Sequence, residues 1–331
     1  MNAGLDALDA LDAALGFLGS RLGREVPLGP LCTYRVGGPA ARFVEVVGDE
    51  ELLAVARAVA GLGPAAPPVL VVGRGSNLLV GDAGFPGLVL QLGAYFESVE
   101  RLDEPAPGGG ALVRAGGAAA LPVVARRTVA MGLTGFEWAV GVPGSIGGAV
   151  RMNAGGHGSD MAAALVRVRV VDLDRGHDVT VPATDLRLGY RTSAVAGTRV
   201  VVWADLALAE GDVARGEAEL SDIVRWRRDH QPGGANAGSV FTNPEGDSAG
   251  RLVEAAGAKG LRVGTAEVSA KHANFIQADP DGSADDVFAL MVEVARRVLA
   301  SSGVRLHPET RLVGLPAFEE ALDRAVAEGG P

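Results

Sequence analysis

Cysteine is almost absent: Cys32 stands alone, which excludes an intrachain disulfide and any cysteine-based zinc cage. The five histidines, at 157, 177, 230, 272 and 307, never fall at metal-ligand spacing, so no structural metal is expected. No run reaches the roughly 18 consecutive apolar residues of a membrane-spanning helix, and the first residues lack the positive stretch that opens a secretory signal. The expected compartment is the cytoplasm, with no membrane partner. Positive charge is short as well. Lys plus Arg number 30 against 40 Asp plus Glu, a net charge of −10, which argues against nucleic-acid binding because that affinity rests on neutralising phosphates. Any anionic partner must be small and locally held.

Small residues are what the chain has in quantity. Gly 48 and Pro 18 in 331 residues make about a fifth, below the roughly 25–30% of low-complexity chains, and 48% hydrophobic content is enough for two or three cores. Against this background asparagine is rare. All six but Asn2 lie in Gly-rich segments: GRGSN (Asn77), RMNAGG (Asn153), GGANAGS (Asn236), VFTNP (Asn243) and KHANF (Asn274). Asparagine tolerates left-handed backbone and hydrogen-bonds nearby peptides, so each position marks either a tight turn or a ligand-facing loop.

Hydrophobic period supplies the elements. Leu5, Leu8, Leu11, Leu15 and Leu18 recur at three- and four-residue steps and predict a docking helix over 4–18. Strand, helix and strand follow at 41–47, 49–63 and 68–73, with Asp49 as N-cap. The same grammar returns with a strand at 111–117 and a helix near 119–131, then a long loop over 135–160. Strands at 165–173 and 201–208 alternate as a half-solvated sheet requires. The acidic, apolar-poor stretch 209–219 is the best boundary. Beyond it the pattern predicts helices near 217–229, 248–256 and 284–300 and strands at 273–278 and 310–314, with Ser283 and Asp286 as a variant capping box.

Two glycine loops carry the chemistry. GRGSN (73–77), directly after a buried strand, lines up backbone N–H groups in a turn that can cradle a phosphate, although it has neither the Lys-Ser/Thr end of a P-loop nor a GxGxxG turn. GVPGSIGGAV (141–150) has Gly141, Gly144, Gly147 and Gly148 in an apolar loop, which implies close approach of backbone to something flat or phosphorylated. Together they point to one dinucleotide held between two subdomains, and TYRVGGPA (33–40) adds a third loop.

The ordered set TYRVGGPA, GRGSNLLV, GVPGSIGGAVRMNAGG, LGYRTS, QPGGANAGSVFTNP, GAKGLRVGTAEVSAKHANFI and HPETRLVG, over residues 26–314, resembles the UDP-N-acetylenolpyruvoylglucosamine reductase family. The resemblance implies an α+β chain. A two-subdomain FAD-binding fold of the vanillyl-alcohol-oxidase type (20–92 and 93–210, after an N-terminal helix over 1–19) would precede a C-terminal α+β substrate-binding domain (211–331). It also implies noncovalent FAD, NADPH as hydride donor, a UDP-sugar substrate and a place in peptidoglycan precursor synthesis. Carried over by motif, the catalytic residues are Ser239, Arg191 and Glu309. The cofactor-binding set is Tyr34 and Arg35; Gly73, Arg74, Gly75, Ser76 and Asn77; Gly141, Pro143, Gly144, Ser145, Gly147 and Gly148; and Asn153. Tyr190, Asn243 and His272 are implied substrate contacts.

These residue types suit the reaction. Hydride addition to an enolpyruvyl ether builds negative charge beside the carboxylate; a cation such as Arg191 stabilises it, a hydroxyl such as Ser239 delivers the quenching proton, and Glu309 either meets the carboxylate as an acid or orients the donor network. Thr242 and His230 stand where the family often carries lysine, which keeps a paralogue acting on another unsaturated UDP-sugar in view; His157 does the same for a flavin oxidase of this fold. Between VFTNP and GAKGLRVG there are only 12 residues, the pattern of a branch without the long insertion and its tyrosine lid.

Overall fold

The computed structural model describes residues 3–328, with side chains from Asp6 onward, so the side chain of Leu5, first of the expected leucine face, lies outside the description. The chain folds as two compact units that are not contiguous in sequence. One takes the chain up to Glu25, Ala41–Arg74 and Pro86–Arg227; the other takes Val26–Ala40, Gly75–Phe85 and everything from Arg228. The sequence division expected at 210/211 therefore differs from the change of unit at 227/228. The helix Val213–His230, whose Leu220 and Ile223 are buried in the first unit's core, counts largely with that unit. Among the described residues no helix is long and apolar enough to cross a membrane.

In the first unit the leucine face docks as expected, but the helix expected over 4–18 stops at Ala14 and a short 3-10 turn over Gly16–Arg21 carries the face on. The helix Ala3–Ala14 and the turn after it bury Leu11, Leu15 and Leu18 against Val44, Leu52, Val55 and Leu90. Asp12 anchors the helix by accepting from Arg42 Nε and Nη2 at 2.5 and 2.8 Å. A four-stranded sheet runs in the order Gly23–Pro27, Pro39–Val46, Phe85–Leu92, Val69–Val72, its last pair parallel. A larger antiparallel sheet runs His177–Pro182, Leu165–Asp172, Arg199–Glu210, Ala111–Gly116, Val99–Pro105. One face of it packs on the helix Leu121–Ala130 through Leu121, Val124 and Val129. The sheet is less solvated than its sequence pattern predicts: Asp205 is fully buried and is held by Arg114 (2.7 and 2.8 Å) and Arg167 (2.7 Å).

In the second unit the strands Arg262–Val263, Ala266–Val268 and Ile276–Ala278 form an antiparallel sheet under the helix Ala284–Ser302. Leu78–Val80 pairs in parallel with Arg311–Val313, which draws the segment after GRG into this unit, and Tyr34, Val36 and Leu79 join its core. The helix Phe318–Glu328, which the sequence pattern did not reveal, closes that core with Phe318 and Leu322.

Three local expectations are corrected. Gly48, not Asp49, is the N-cap of the helix Asp49–Gly61; Asp49 spends its carboxylate on Arg169 at 2.8 Å. Only half of the capping box forms. Ser283 Oγ accepts the Asp286 N–H at 3.1 Å, but the shorter aspartate turns to the N–H and hydroxyl of Thr265, both at 2.8 Å. The stretch 135–160 is not one loop: it contains the helix Ile146–Met152, disguised by the two glycines of its first turn.

Candidate active site

A cleft of roughly 690 Å³, counted to its open mouth, lies wholly within the first unit. It is built where three backbone segments converge. Gly73 and Arg74 follow the parallel strand, Gly117 and Ala118 follow Ala111–Gly116, and Ser145, Gly147 and Gly148 form the start of the short helix, with Arg151 in its last turn. The approach is close. A Cβ on Gly73 would stand 2.4 Å from Ser145 Oγ, and one on Gly147 would stand 3.2 Å from the Gly117 carbonyl oxygen. The Gly147 N–H donates to that carbonyl at 2.9 Å, and Gln91 Nε2 holds the Gly73 carbonyl at 2.8 Å. The two glycine loops, separate in sequence, thus meet at one floor.

Arg74, Arg151 and Arg199 supply positive charge to this cleft, with Glu97 the acidic group in its lining. Arg199 is steadied by Asp172 at 3.1 Å. Leu92, Val195, Val200 and Val201 provide apolar wall. Backbone N–H groups without obstructing side chains, guanidinium groups and aliphatic walls are the donor set an anionic dinucleotide requires, so the residues present fit FAD. Neither Gln91 nor Arg199 carried any signal in the sequence, because each is one polar residue at a strand.

Elsewhere the expected residues have defined partners. Gly141 packs on His157, its Cβ position 3.2 Å from His157 Nε2. The Gly144 carbonyl accepts the Leu121 N–H at 2.9 Å, next to Pro143. Asn153 is buried, left-handed (φ 39°) and fully engaged: Nδ2 donates to Asp160 and to the Gly189 carbonyl, and Oδ1 accepts the Ala162 N–H, all at 3.0 Å. Its grip on Gly189 bears on the next two residues, Tyr190 and Arg191. Tyr190 is 61% exposed. Arg191 sits in left-handed backbone (φ 54°), with its guanidinium 5.1 Å from the Tyr190 ring and Nη2 donating to the Gly155 carbonyl at 3.1 Å.

Gly75, Ser76 and Asn77 belong to the second unit, as do Tyr34 and Arg35. Gly75 is left-handed, and a Cβ there would meet the Leu31 carbonyl oxygen at 2.1 Å, so the chain itself requires this glycine. Tyr34 is wholly buried, and that burial pushes its phenol far above the usual range; Arg35 is exposed. Ser239 and Glu309 lie on paired segments. Phe241 bridges Pro308 antiparallel, and the Glu309 N–H donates to the carbonyl of Val240, the residue after Ser239, at 2.8 Å. Asn243 Oδ1 accepts the Ala249 N–H at 3.0 Å and so steers entry into the helix Ala249–Ala255, the short segment that follows VFTNP. Thr242 donates its hydroxyl to the His307 carbonyl at 3.3 Å.

His272 is half-buried against Phe275, and its Nδ1 accepts the Asn274 N–H at 3.2 Å, which leaves Nε2 as the protonated nitrogen. Burial holds its pKa below the usual imidazole range, and burial with nearby Arg227 does the same for His157, which stacks edge-on to Trp226. The expected result is that both imidazoles titrate below about 6.5 when their Cε1 protons are followed by NMR. Because the unfolded chain then takes up these protons first, folding stability falls as pH drops through that value. A titration of either ring above it would contradict the burial argument.

The comparisons with known proteins agree with this arrangement. A family model described as an FAD binding domain matches residues 41–181, and one described as the UDP-N-acetylenolpyruvoylglucosamine reductase C-terminal domain matches 230–313. The reductase of that name from Acidiphilium cryptum is 41% identical over 305 residues, 92% of this chain and 95% of that one. Its counterpart from Paramagnetospirillum magneticum is 39% identical over 296 residues, 89% and 92% of the two chains. A crystal structure of the Thermus caldophilus reductase superposes with a TM-score of 0.74 at 34% identity, over 88% of this chain and 99% of that one. With the glycine floor of the cleft inside the matched FAD binding region and the identity running through both units, the chain is an FAD-dependent oxidoreductase and belongs to the UDP-N-acetylenolpyruvoylglucosamine reductase family.

Proposed function

We propose that this chain reduces the enolpyruvyl group of UDP-N-acetylglucosamine enolpyruvate to UDP-N-acetylmuramate, with NADPH as hydride donor, in the cytoplasmic synthesis of peptidoglycan precursors. The observation that carries this reading is the pairing of Val240 with Glu309, which puts a serine hydroxyl and a carboxylate on adjoining segments. When bound, FAD would supply two-electron hydride chemistry between the nicotinamide and the substrate's vinyl group. The chain's own residues handle charge and proton. Ser239 delivers the proton to the carbon beside the carboxylate, and Glu309 orients and replenishes that donor. Arg191, whose left-handed backbone and Gly155 contact fix its direction, offsets the negative charge that builds on the substrate. Tyr190, Asn243 and His272 serve the sugar nucleotide, His272 as a neutral Nε2–H donor. Gly73, Arg74, Ser145, Gly147 and Gly148 would hold the flavin's pyrophosphate noncovalently, with Tyr34, Arg35, Gly75, Ser76, Gly141, Pro143, Gly144 and Asn153 as the remaining members of the cofactor set.

Purified protein mixed with NADPH and enolpyruvyl-UDP-N-acetylglucosamine is expected to consume both one for one and to yield the muramate, with little oxygen uptake in an aerobic control. Oxygen consumption without sugar reduction would favour an oxidase. Flavin reduction by NADPH with no turnover of this sugar would favour a different unsaturated UDP-sugar.

A further inference from the structure

In the second unit four backbone segments lie edge to edge around Ser239 and Glu309. At the centre, Val240–Thr242 runs antiparallel to His307–Glu309, with the Glu309 N–H on the Val240 carbonyl at 2.8 Å and the Thr242 N–H on the His307 carbonyl at 3.0 Å. On one outer edge Asn274 takes hold of the Ser239 segment at three points. Its backbone carbonyl accepts the Val240 N–H at 2.9 Å, Oδ1 accepts the Phe241 N–H at 3.0 Å, and Nδ2 donates to the Phe241 carbonyl at 2.9 Å. On the opposite edge Asn77 Nδ2 donates to the Glu309 carbonyl at 3.0 Å, while its backbone carbonyl accepts the Arg311 N–H at 3.1 Å.

A carboxamide presents the same donor and acceptor as a peptide bond, so Asn274 stands in for one residue of an absent strand. It is only 4% exposed, so water does not compete for the Phe241 peptide groups, and losing the amide would leave both unpaired. The chain arrives at Ser239 from a turn: Gly238 is left-handed (φ 79°), and its N–H donates to Asn236 Oδ1 at 3.0 Å. The register of Ser239 is therefore set from the Val240–Phe241 side, where Asn274 acts.

We propose that Asn274 and Asn77 are positioning residues, clamping from opposite edges the two segments that carry Ser239 and Glu309. The inference rests on the catalytic reading of those two residues. For Asn77 it assigns the amide to Glu309, where the sequence motif implied a cofactor contact. A misplacement of about 1 Å at a reacting group costs on the order of 10²-fold in rate, so the clamp is worth that much without touching substrate.

The test uses the flavin-loaded enzyme and two variants. In Asn274→Asp a carboxylate oxygen replaces the donor and faces the Phe241 carbonyl; Asn77→Ala removes the grip on Glu309 at a half-buried position that folding tolerates better. Both are expected to retain FAD and to be reduced by NADPH at the native rate, yet to pass electrons to enolpyruvyl-UDP-N-acetylglucosamine about 10²-fold more slowly, with the substrate's KM little changed. Amide hydrogen exchange at Phe241 is expected to quicken about tenfold in Asn274→Asp, with protection elsewhere kept. Unchanged exchange at Phe241, or sugar reduction at the native rate, would overturn the clamp. Loss of FAD in Asn77→Ala would make that residue a cofactor ligand instead. If the native enzyme does not reduce this sugar, the proposed function fails, while the exchange measurement still decides the clamp. Should Asn274→Asp not fold, Asn77→Ala carries the decision through the same two half-reactions.

Discussion

Ser239→Ala is expected to slow sugar reduction by about 10² to 10⁴-fold, roughly 3 to 5 kcal/mol of barrier, while the variant binds FAD and accepts hydride from NADPH as the native protein does. The asymmetry follows from proton bookkeeping. Moving a hydride from the nicotinamide to the flavin needs no proton at the sugar, whereas completing the reduction requires one at the carbon beside the carboxylate. Removing one hydroxyl also leaves the backbone clamp intact, since its hydrogen bonds are made by Val240, Phe241 and Thr242 rather than by the serine side chain. Glu309→Gln and Arg191→Ala are expected to fail in the same half-reaction, because charge at those positions acts only once the substrate carries negative charge. Anaerobic stopped-flow at the flavin band reads the two halves separately. Reoxidation of Ser239→Ala at the native rate would mean that the proton comes from another group.

The second large effect separates two adjacent glycines. Gly147 and Gly148 both line the cleft, but a side chain would point differently from each. At Gly147 it meets the Gly117 carbonyl at 3.2 Å and the Val201 carbonyl at 3.4 Å, so Gly147→Val lifts the short helix off the sheet; overpacking of this kind costs about 1–3 kcal/mol of stability. The cause is packing and not backbone strain, because a left-handed φ is absent at this residue. At Gly148 the nearest atom is Ser145 Oγ at 3.8 Å, and a valine would stand in open cleft. Gly148→Val is therefore expected to fold with native stability and to bind FAD about 10- to 100-fold more weakly, whereas Gly147→Val loses both stability and flavin. Flavin titration of the apoprotein, set beside thermal melts, distinguishes them. A Gly148→Val protein with full FAD affinity would show that the cofactor does not approach this face of the helix.

Much of this protein was legible from residue order. The leucine period over 4–18, the strand at 68–73 feeding the first glycine loop and the helix at 284–300 all depend on contacts within one element, and periodicity reports those directly. The family motifs carried the identity of the reaction class because each is a short local stretch. Local chemistry misled at two helix starts because a neighbour took the carboxylate, Thr265 that of Asp286 and Arg169 that of Asp49, and within 135–160 because two glycines hid the helix Ile146–Met152.

Sequence alone determined which residue types were present, in which loops, and that rare asparagines would mark special backbone. Only the tertiary structure decided what those asparagines hold. Asn153 grips Gly189, Asn77 grips Glu309 and Asn274 grips Phe241, across separations that no periodic pattern spans. It likewise decided that 26–40 and 75–85 fold with the residues from 228 onward, because the partner strand for Leu78–Val80 is Arg311–Val313. The physical reason is the same in both cases. A buried amide or an unpaired strand edge must be satisfied by whatever polar partner the folded chain brings within about 3 Å, and that partner is fixed by three-dimensional packing rather than by neighbours in the chain.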